Sequence, residues 1–253
     1  MKLFANVMGE GDDLIVMHGV FGMSDNWQSL ARKWQGKYRV HLLDLRNHGR
    51  SPHSEDASLG AMSDDLLQCL DDHKIESAFI LGHSLGGRIA MHFATAHPER
   101  TAKLIVADIA PREYQPHHQS VIEALEQFDP RSVSSRSEAQ KEFGKQLDQA
   151  TKQFLLKSLY WQDDKTLGWR FNWPVLAEAL SKPGGALNED QSYDGPALFI
   201  RGGASDYVRD EDRDRIARHF PQAEVKTIDG AGHWLHAQEP QQFRALTESF
   251  LEA

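Results

Sequence analysis

Residues 78–87 read Ala78-Phe79-Ile80-Leu81-Gly82-His83-Ser84-Leu85-Gly86-Gly87, and a helical pattern from Arg88 to Ala96 follows directly. The first four residues are a short apolar run of the kind a parallel sheet buries on both faces. The next six carry Gly-x-Ser-x-Gly between a strand and a helix, the setting of a nucleophile elbow. The glycines have a physical reason. A serine held in a strained turn projects its Oγ from the sheet edge, and residues two before and two after it come close enough for a side chain to clash. The helix behind the serine points its positive dipole end at the place where an oxyanion would form. Ser84 is therefore the candidate nucleophile, and the strand–turn–helix context favours this over a plain turn serine.

Outward from this stretch, strand and helix signals alternate. Leu14-Ile15-Val16-Met17 is a buried strand ending at His18-Gly19, and Asp25 to Trp34 reads as a helix. Arg39-Val40-His41-Leu42-Leu43 is a strand closed by the turn Arg46-Asn47-His48-Gly49, and Leu59, Met62, Leu66 and Leu70 recur at helical spacing. Leu104-Ile105-Val106-Ala107 is a further strand. From about Pro111 to Asp194 the alternation stops, and the chain reads as helices and loops. Val121-Ile122-Ala124-Leu125 and Phe154-Leu155-Leu156-Leu159-Tyr160 look amphipathic there, Arg131 to Ser137 reads as a loop, and Pro183-Gly184-Gly185 is a breaker. The rhythm resumes with strands at Ala197-Leu198-Phe199-Ile200 and Glu224 to Ile228, and helices from about Asp210 to His219 and Pro240 to Leu251. The pattern predicts an α/β fold with a mostly parallel sheet flanked by helices. Its core comprises residues 1–112 and 195–253, with a helical cap insertion at 113–194.

Two further motifs bear on chemistry. His18-Gly19-Val20-Phe21-Gly22 is a glycine-rich turn after the first of these strands. Acyl transfer needs two backbone N–H donors aimed at a developing oxyanion. Leu85, directly after the serine, offers one, and Val20 the other, with Phe21 as the neighbouring alternative. His18 is read as bracing this loop rather than reacting. Gly230-Ala231-Gly232-His233-Trp234 is a loop after the last strand. A base that moves a proton to and from serine suits a histidine on such a loop, so His233 stands out among 13 histidines. His236 is expected at the surface or facing the cap, and His83 is expected to point away from the serine. Phe21, Tyr114, Tyr207 and Trp234 adjoin the motifs and are candidate pocket residues.

Composition narrows the alternatives. A net charge of −9 with no Lys/Arg run argues against nucleic acid and anionic membranes as partners. No stretch approaches a membrane span or a signal-peptide core, and the single cysteine, Cys69, lies in a helical apolar pattern. A cytoplasmic setting is expected. There is no Cys-x-x-Cys, no His-Glu-x-x-His, no Gly-x-Gly-x-x-Gly and no Walker motif, so no metal and no nucleotide are expected. His117-His118 reads as a solvated face of a cap helix. The aromatics Phe154, Tyr160, Trp161, Trp169, Phe171 and Trp173 read mainly as cap core.

Taken together, the motifs resemble the α/β-hydrolase superfamily and, within it, the YbfF-type small esterases. The runs HGVFG (18–22), DLRNHGRSP (44–52), LGHSLGG (81–87), ADIAP (107–111), QFLLKSL (153–159), WRFNWPVL (169–176), ALFIRGG (197–203) and GAGHW-HA (230–237) carry the likeness. The resemblance implies an α/β-hydrolase fold with a helical cap, ester or thioester hydrolysis of small substrates, and no cofactor; separately, a monomer or small homo-oligomer is expected. The resemblance also bears on the acid partner of His233. Most members place an Asp after the strand that here is Ala197–Ile200, where this chain has Ser205, with Asp206 one residue on. In this branch the acid comes instead from the end of the preceding strand, here Asp108, with Ser205 bonded to it in support. The same constellation also serves thioester, C–C and perhydrolysis chemistry, and intact Ser84 and His233 weigh against a receptor.

Overall fold

The computed structural model describes residues 1–116 and 118–253. The first part of the chain runs β1 (Phe4–Met8), β2 (Asp12–Met17), α1 (Gln28–Trp34), β3 (Tyr38–Asp44), α2 (Leu59–Asp72), β4 (Ala78–His83), α3 (Leu85–Ala96) and β5 (Thr101–Ala107). A segment of α4 (Gln119–Glu126), α5 (Arg136–Glu142), α6 (Gln149–Leu156), β6 (Leu159–Trp161), β7 (Leu167–Trp169) and α7 (Trp173–Leu180) follows. The chain closes with β8 (Ala197–Gly202), α8 (Arg213–His219), β9 (Ala223–Ile228), α9 (Leu235–Gln238) and α10 (Pro240–Glu252).

Seven strands form one sheet in the order β1-β3-β2-β4-β5-β8-β9. β1 runs antiparallel to β3, and the other pairings are parallel. The inner strands are continuous apolar runs because helices cover both faces. Alternate residues of β2 divide between the faces. Ile15 and Met17 join a core with Met62, Leu66 and Leu70 of α2, Ile89 and Phe93 of α3, and Ile216 of α8. Leu14 and Val16 join the opposite core with Leu30 and Trp34 of α1 and Phe243 and Leu251 of α10. The edge strand β1 escaped the sequence reading because it is only partly buried and shows no clean alternation.

The segment between β5 and β8 has its own apolar cluster, built on Leu125, Ala139, Phe143, Leu155, Leu167, Trp169, Phe171 and Leu176. Two sequence expectations are corrected there. Residues 154–160 are not one helix. α6 stops at Leu156, and Leu159–Trp161 pairs with Leu167–Trp169 as a hairpin. Its turn is chemically specified, with Lys165 at φ 65° and Asp164 Oδ1 accepting from Thr166 N–H at 3.0 Å. The 131–137 stretch is also not wholly loop. Ser135 caps α5 by accepting from Glu138 N–H at 3.1 Å, a Ser-x-x-Glu helix start. His117 lies outside the described residues, and His118 sits at the N-terminal cap position of α4. No helix among the described residues is long and apolar enough to cross a membrane.

Candidate active site

Ser84 occupies the turn between β4 and α3 at φ 52° and ψ −113°, a conformation L-residues rarely adopt. Close approach makes the turn possible. A Cβ on Gly82 would sit 2.1 Å from the carbonyl oxygen of Gly86, and a Cβ on Gly86 would sit 2.5 Å from that of Met17. Ser84 N–H donates to Ala107 O at 3.1 Å, which fixes the elbow to the end of β5. Gly86 N–H donates to His18 O at 3.1 Å, which fixes it to the loop after β2. Leu85 opens α3, so its N–H is one of the donors a helix start leaves unsatisfied.

His233 Nε2 lies 3.0 Å from Ser84 Oγ, and its Nδ1 lies 2.8 Å from Asp108 Oδ2. A carboxylate accepts, so Nδ1 carries the proton and Nε2 is left as an acceptor for the serine hydroxyl. Asp108 follows β5 at φ 51° and is fully buried. It also accepts from Gly202 N–H at 2.9 Å on Oδ1 and from Ser205 Oγ–H at 2.5 Å on Oδ2. Three donors therefore face one carboxylate, which compensates its burial. Asp206 is exposed, and its main-chain carbonyl accepts from Arg112 at 3.3 Å. The sequence had held Asp206 open as an alternative. The chain turns its side chain outward one residue past Ser205, and Asp108 takes the place beside the imidazole.

The loop that carries His233 is held from several sides. Gly232 N–H donates to Gln238 Oε1 at 2.6 Å. His83 Nε2–H donates to the carbonyl of His233 at 2.8 Å, which ties the loop to the residue before Ser84. The ring of Tyr207 stacks on that of His233 with centroids 3.6 Å apart and planes 14° from parallel. Burial pushes the Tyr207 hydroxyl up to about 12, so the ring stays neutral. His236 corrects an expectation. It is buried, stacked on Trp27 at 4.2 Å, and burial pushes it down to about 3. It is the second residue of α9 and lines the space beside Ser84 and His233, so it faces inward rather than to the surface.

In the turn after β2, Gly22 N–H donates to Gly19 O at 3.0 Å, and Phe21 adopts φ 60°. Phe21 N–H donates to His48 Nε2 at 3.1 Å. That occupies the alternative donor the sequence had left open and leaves Val20 as the candidate. The Phe21 side chain instead packs into the cluster of the inserted segment, 5.1 Å from the Phe171 ring.

Ser84 and His233 open into a cavity of about 480 Å³. One wall comes from the parallel core, including Val20, Trp27, Tyr207 and Trp234. The other comes from the inserted segment, including Val121, Phe154 and Leu155. The lining is mainly apolar, with Gln153, Lys157 and Gln238 among its polar members. Phe21, Tyr207 and Trp234 take the places expected of them, whereas Tyr114 does not line this cavity. Its hydroxyl accepts from Ala110 N–H at 2.9 Å and donates to Tyr207 O at 2.5 Å, so it braces the loop that carries Tyr207. Phe154 is the wall residue the sequence reading assigned to the cap interior. Its ring lies 5.4 Å from Trp234, across the seam between core and insertion, a relation that no local pattern records.

Comparison with known proteins gives the family. Residues 14–240 match the alpha/beta hydrolase fold family. The chain is 38% identical over 247 residues to the sn-1-specific diacylglycerol lipase ABHD11 of Mus musculus, covering 94% of this chain and 80% of that protein. It is 37% identical over 229 residues to Esterase YbfF of Escherichia coli (strain K12), covering 90% of this chain and 88% of that one. A solved structure described as a marine microorganism esterase superimposes with a TM-score of 0.95 at 40% identity, covering 98% of this chain and 99% of that chain. By motif, topology and kinship, the chain belongs to the α/β-hydrolase family and is of the YbfF type.

Proposed function

We propose that the protein is a serine carboxylesterase that hydrolyses small esters through an acyl-enzyme on Ser84. Kinship to an esterase and a lipase supports ester-bond hydrolysis. The observation that carries the mechanism is the relay from Ser84 Oγ to His233 Nε2 at 3.0 Å and from His233 Nδ1 to Asp108 at 2.8 Å. In the first half-reaction His233 Nε2 takes the hydroxyl proton as Ser84 Oγ bonds to the acyl carbon. The carbonyl oxygen gains negative charge opposite the N–H groups of Val20 and Leu85. The C–O bond to the alcohol then breaks, and the alkoxide leaves with the proton held on His233. In the second half His233 takes a proton from water, the hydroxide oxygen bonds to the acyl carbon, and Ser84 departs reprotonated. Asp108 holds the productive tautomer and stabilises the imidazolium, and Ser205 steadies Asp108.

The segment 113–194 serves as the cap, and the cavity of about 480 Å³ between cap and core holds the acyl group. Phe21, Tyr207 and Trp234 shape that cavity. No cofactor enters this scheme. The substrate is a small-molecule ester, the active unit a monomer or small homo-oligomer, and the setting cytoplasmic, consistent with the buried free thiol of Cys69.

Turnover of p-nitrophenyl acetate, butyrate, octanoate and palmitate by wild type and Ser84→Ala tests the reading. Cleavage of the short esters, weak cleavage of palmitate and none above background by Ser84→Ala are expected. Absence of turnover on all four, or an active Ser84→Ala, would overturn it.

A further inference from the structure

Two buried histidines outside the relay share one bonding pattern. His18 Nδ1 meets Gly19 O at 2.7 Å, and its Nε2 meets Leu45 N–H at 3.1 Å. His48 Nδ1 meets Arg46 O at 2.8 Å, and its Nε2 meets Phe21 N–H at 3.1 Å. Each imidazole thus spends Nδ1 on its own loop and Nε2 on the other. The two rings meet edge to face with centroids 5.0 Å apart.

We infer that His18 and His48 are a reciprocal pair of positioning residues that aim the Val20 N–H at the oxyanion. This inference rests on the proposed ester hydrolysis at Ser84. A trans peptide is planar, and its C=O and N–H point in opposite directions. Gripping the carbonyl of Gly19 therefore sets where the Val20 N–H points. His18 Nδ1–H and Gly22 N–H both donate to that carbonyl. The next peptide plane is held through Phe21 N–H by His48. Both planes that flank Val20 are pinned, and Val20 has little freedom to rotate its donor away.

The pattern also defines the protonation state. Backbone N–H groups only donate, so both Nε2 atoms must be bare acceptors, and both carbonyls require a proton on Nδ1. Each ring is the neutral Nδ1–H tautomer. Full burial supports this by pushing His18 down to about 4 and His48 to about 3. A protonated ring would turn a donor towards Leu45 or Phe21 N–H and break the cross-link. The loop after β3, which carries no group of the relay, thereby acts on the site through two hydrogen bonds.

The test compares His48→Phe, which keeps an aromatic ring but loses the acceptor, with His48→Gln, whose side-chain oxygen can reach the place of Nε2. Removing an oxyanion donor outright costs about 10²–10³ in kcat. A misaimed donor should lower kcat on p-nitrophenyl butyrate by about 10- to 100-fold, with KM changed by no more than about twofold. Affinity for a trifluoromethyl ketone should fall in step with kcat/KM, and His48→Gln should recover most of both. A His48→Phe enzyme with wild-type kcat, or a Gln variant as impaired as the Phe variant, would overturn the inference. So would lost stability at unchanged kcat. Should His48→Phe not fold, imidazole 15N shifts of the wild type at neutral pH decide. Bare Nε2 on both His18 and His48 supports the pair, and a protonated Nε2 on either overturns it. Activity in Ser84→Ala would defeat the ester-hydrolysis reading itself and is scored separately.

Discussion

Asp108 Oδ2 lies 2.8 Å from His233 Nδ1, although the two residues are 125 positions apart and Asp108 leaves the sheet from β5 rather than β8. The end of β8 and the turn after it contribute Gly202 N–H and the Ser205 hydroxyl to the same carboxylate. Two neighbouring strand ends therefore build one carboxylate site beside His233, with the charge on one and its hydrogen-bond support on the other.

Asp108→Asn should lower kcat by about 10³- to 10⁴-fold, because an amide can present a donor to Nδ1 and hold the wrong tautomer. Asp206→Asn should stay within about twofold, since that side chain is exposed. Steady-state kinetics on one short ester, run in parallel, separate the two. A crippled Asp206→Asn beside an active Asp108→Asn would reverse the assignment.

Ser205→Ala removes the 2.5 Å hydrogen bond to Asp108 but leaves the Gly202 N–H in place. A hydrogen bond to a charged group contributes about 1.5–3 kcal/mol. Part of that should appear as a fall of about tenfold in kcat. Ser205→Thr, which keeps the hydroxyl, should retain more activity than Ser205→Ala.

Acid should weaken the fold before it titrates most carboxylates. His18 is held down to about 4 and His48 and His236 to about 3 by burial, against an ordinary value of 6.5. As pH falls through 6.5 the unfolded chain takes up protons that the native protein refuses. The unfolded state binds more protons in this window, so stability is lost on acidification from about 6.5 towards 4. Urea denaturation at a series of pH values should show a fall of at least about 2 kcal/mol across it. His48→Gln should flatten the slope, and an unchanged slope in that variant would count against the assignment.

Gly82→Ala should destabilise the protein by about 3 kcal/mol or prevent folding, because overpacking against rigid backbone cannot relax as a side-chain clash can. The new Cβ would lie 2.1 Å from Gly86 O. Gly60→Ala, where a Cβ meets nothing within 4 Å, is the control and should be neutral or mildly stabilising by chemical denaturation.

What the sequence makes legible follows from the range of the interactions involved. The apolar runs at Leu14–Met17, Ala78–Leu81, Leu104–Ala107 and Ala197–Ile200 become buried parallel strands because burial on both faces leaves an unbroken local pattern. The elbow at Ser84 is legible because its turn demands glycine at fixed offsets. β1 was not, since an edge strand needs little apolar surface. The hairpin β6–β7 was hidden because Leu159 and Tyr160 extend the apolar spacing of α6 past its true end. Tyr114 and His236 were misplaced for a different reason. Their positions depend on contacts with Tyr207 and Trp27, distant in sequence, and nothing in the neighbouring residues encodes those contacts.

On the proposed mechanism Ser84 is a nucleophile activated by His233. Intact-protein mass spectrometry after treatment with diethyl p-nitrophenyl phosphate tests it most directly, followed by peptide mapping of the adduct. A single diethylphosphoryl adduct on Ser84, no adduct in Ser84→Ala, and labelling slowed by several orders of magnitude in His233→Ala are expected. An unlabelled wild type, an adduct on another residue, or equally fast labelling without His233 would contradict it.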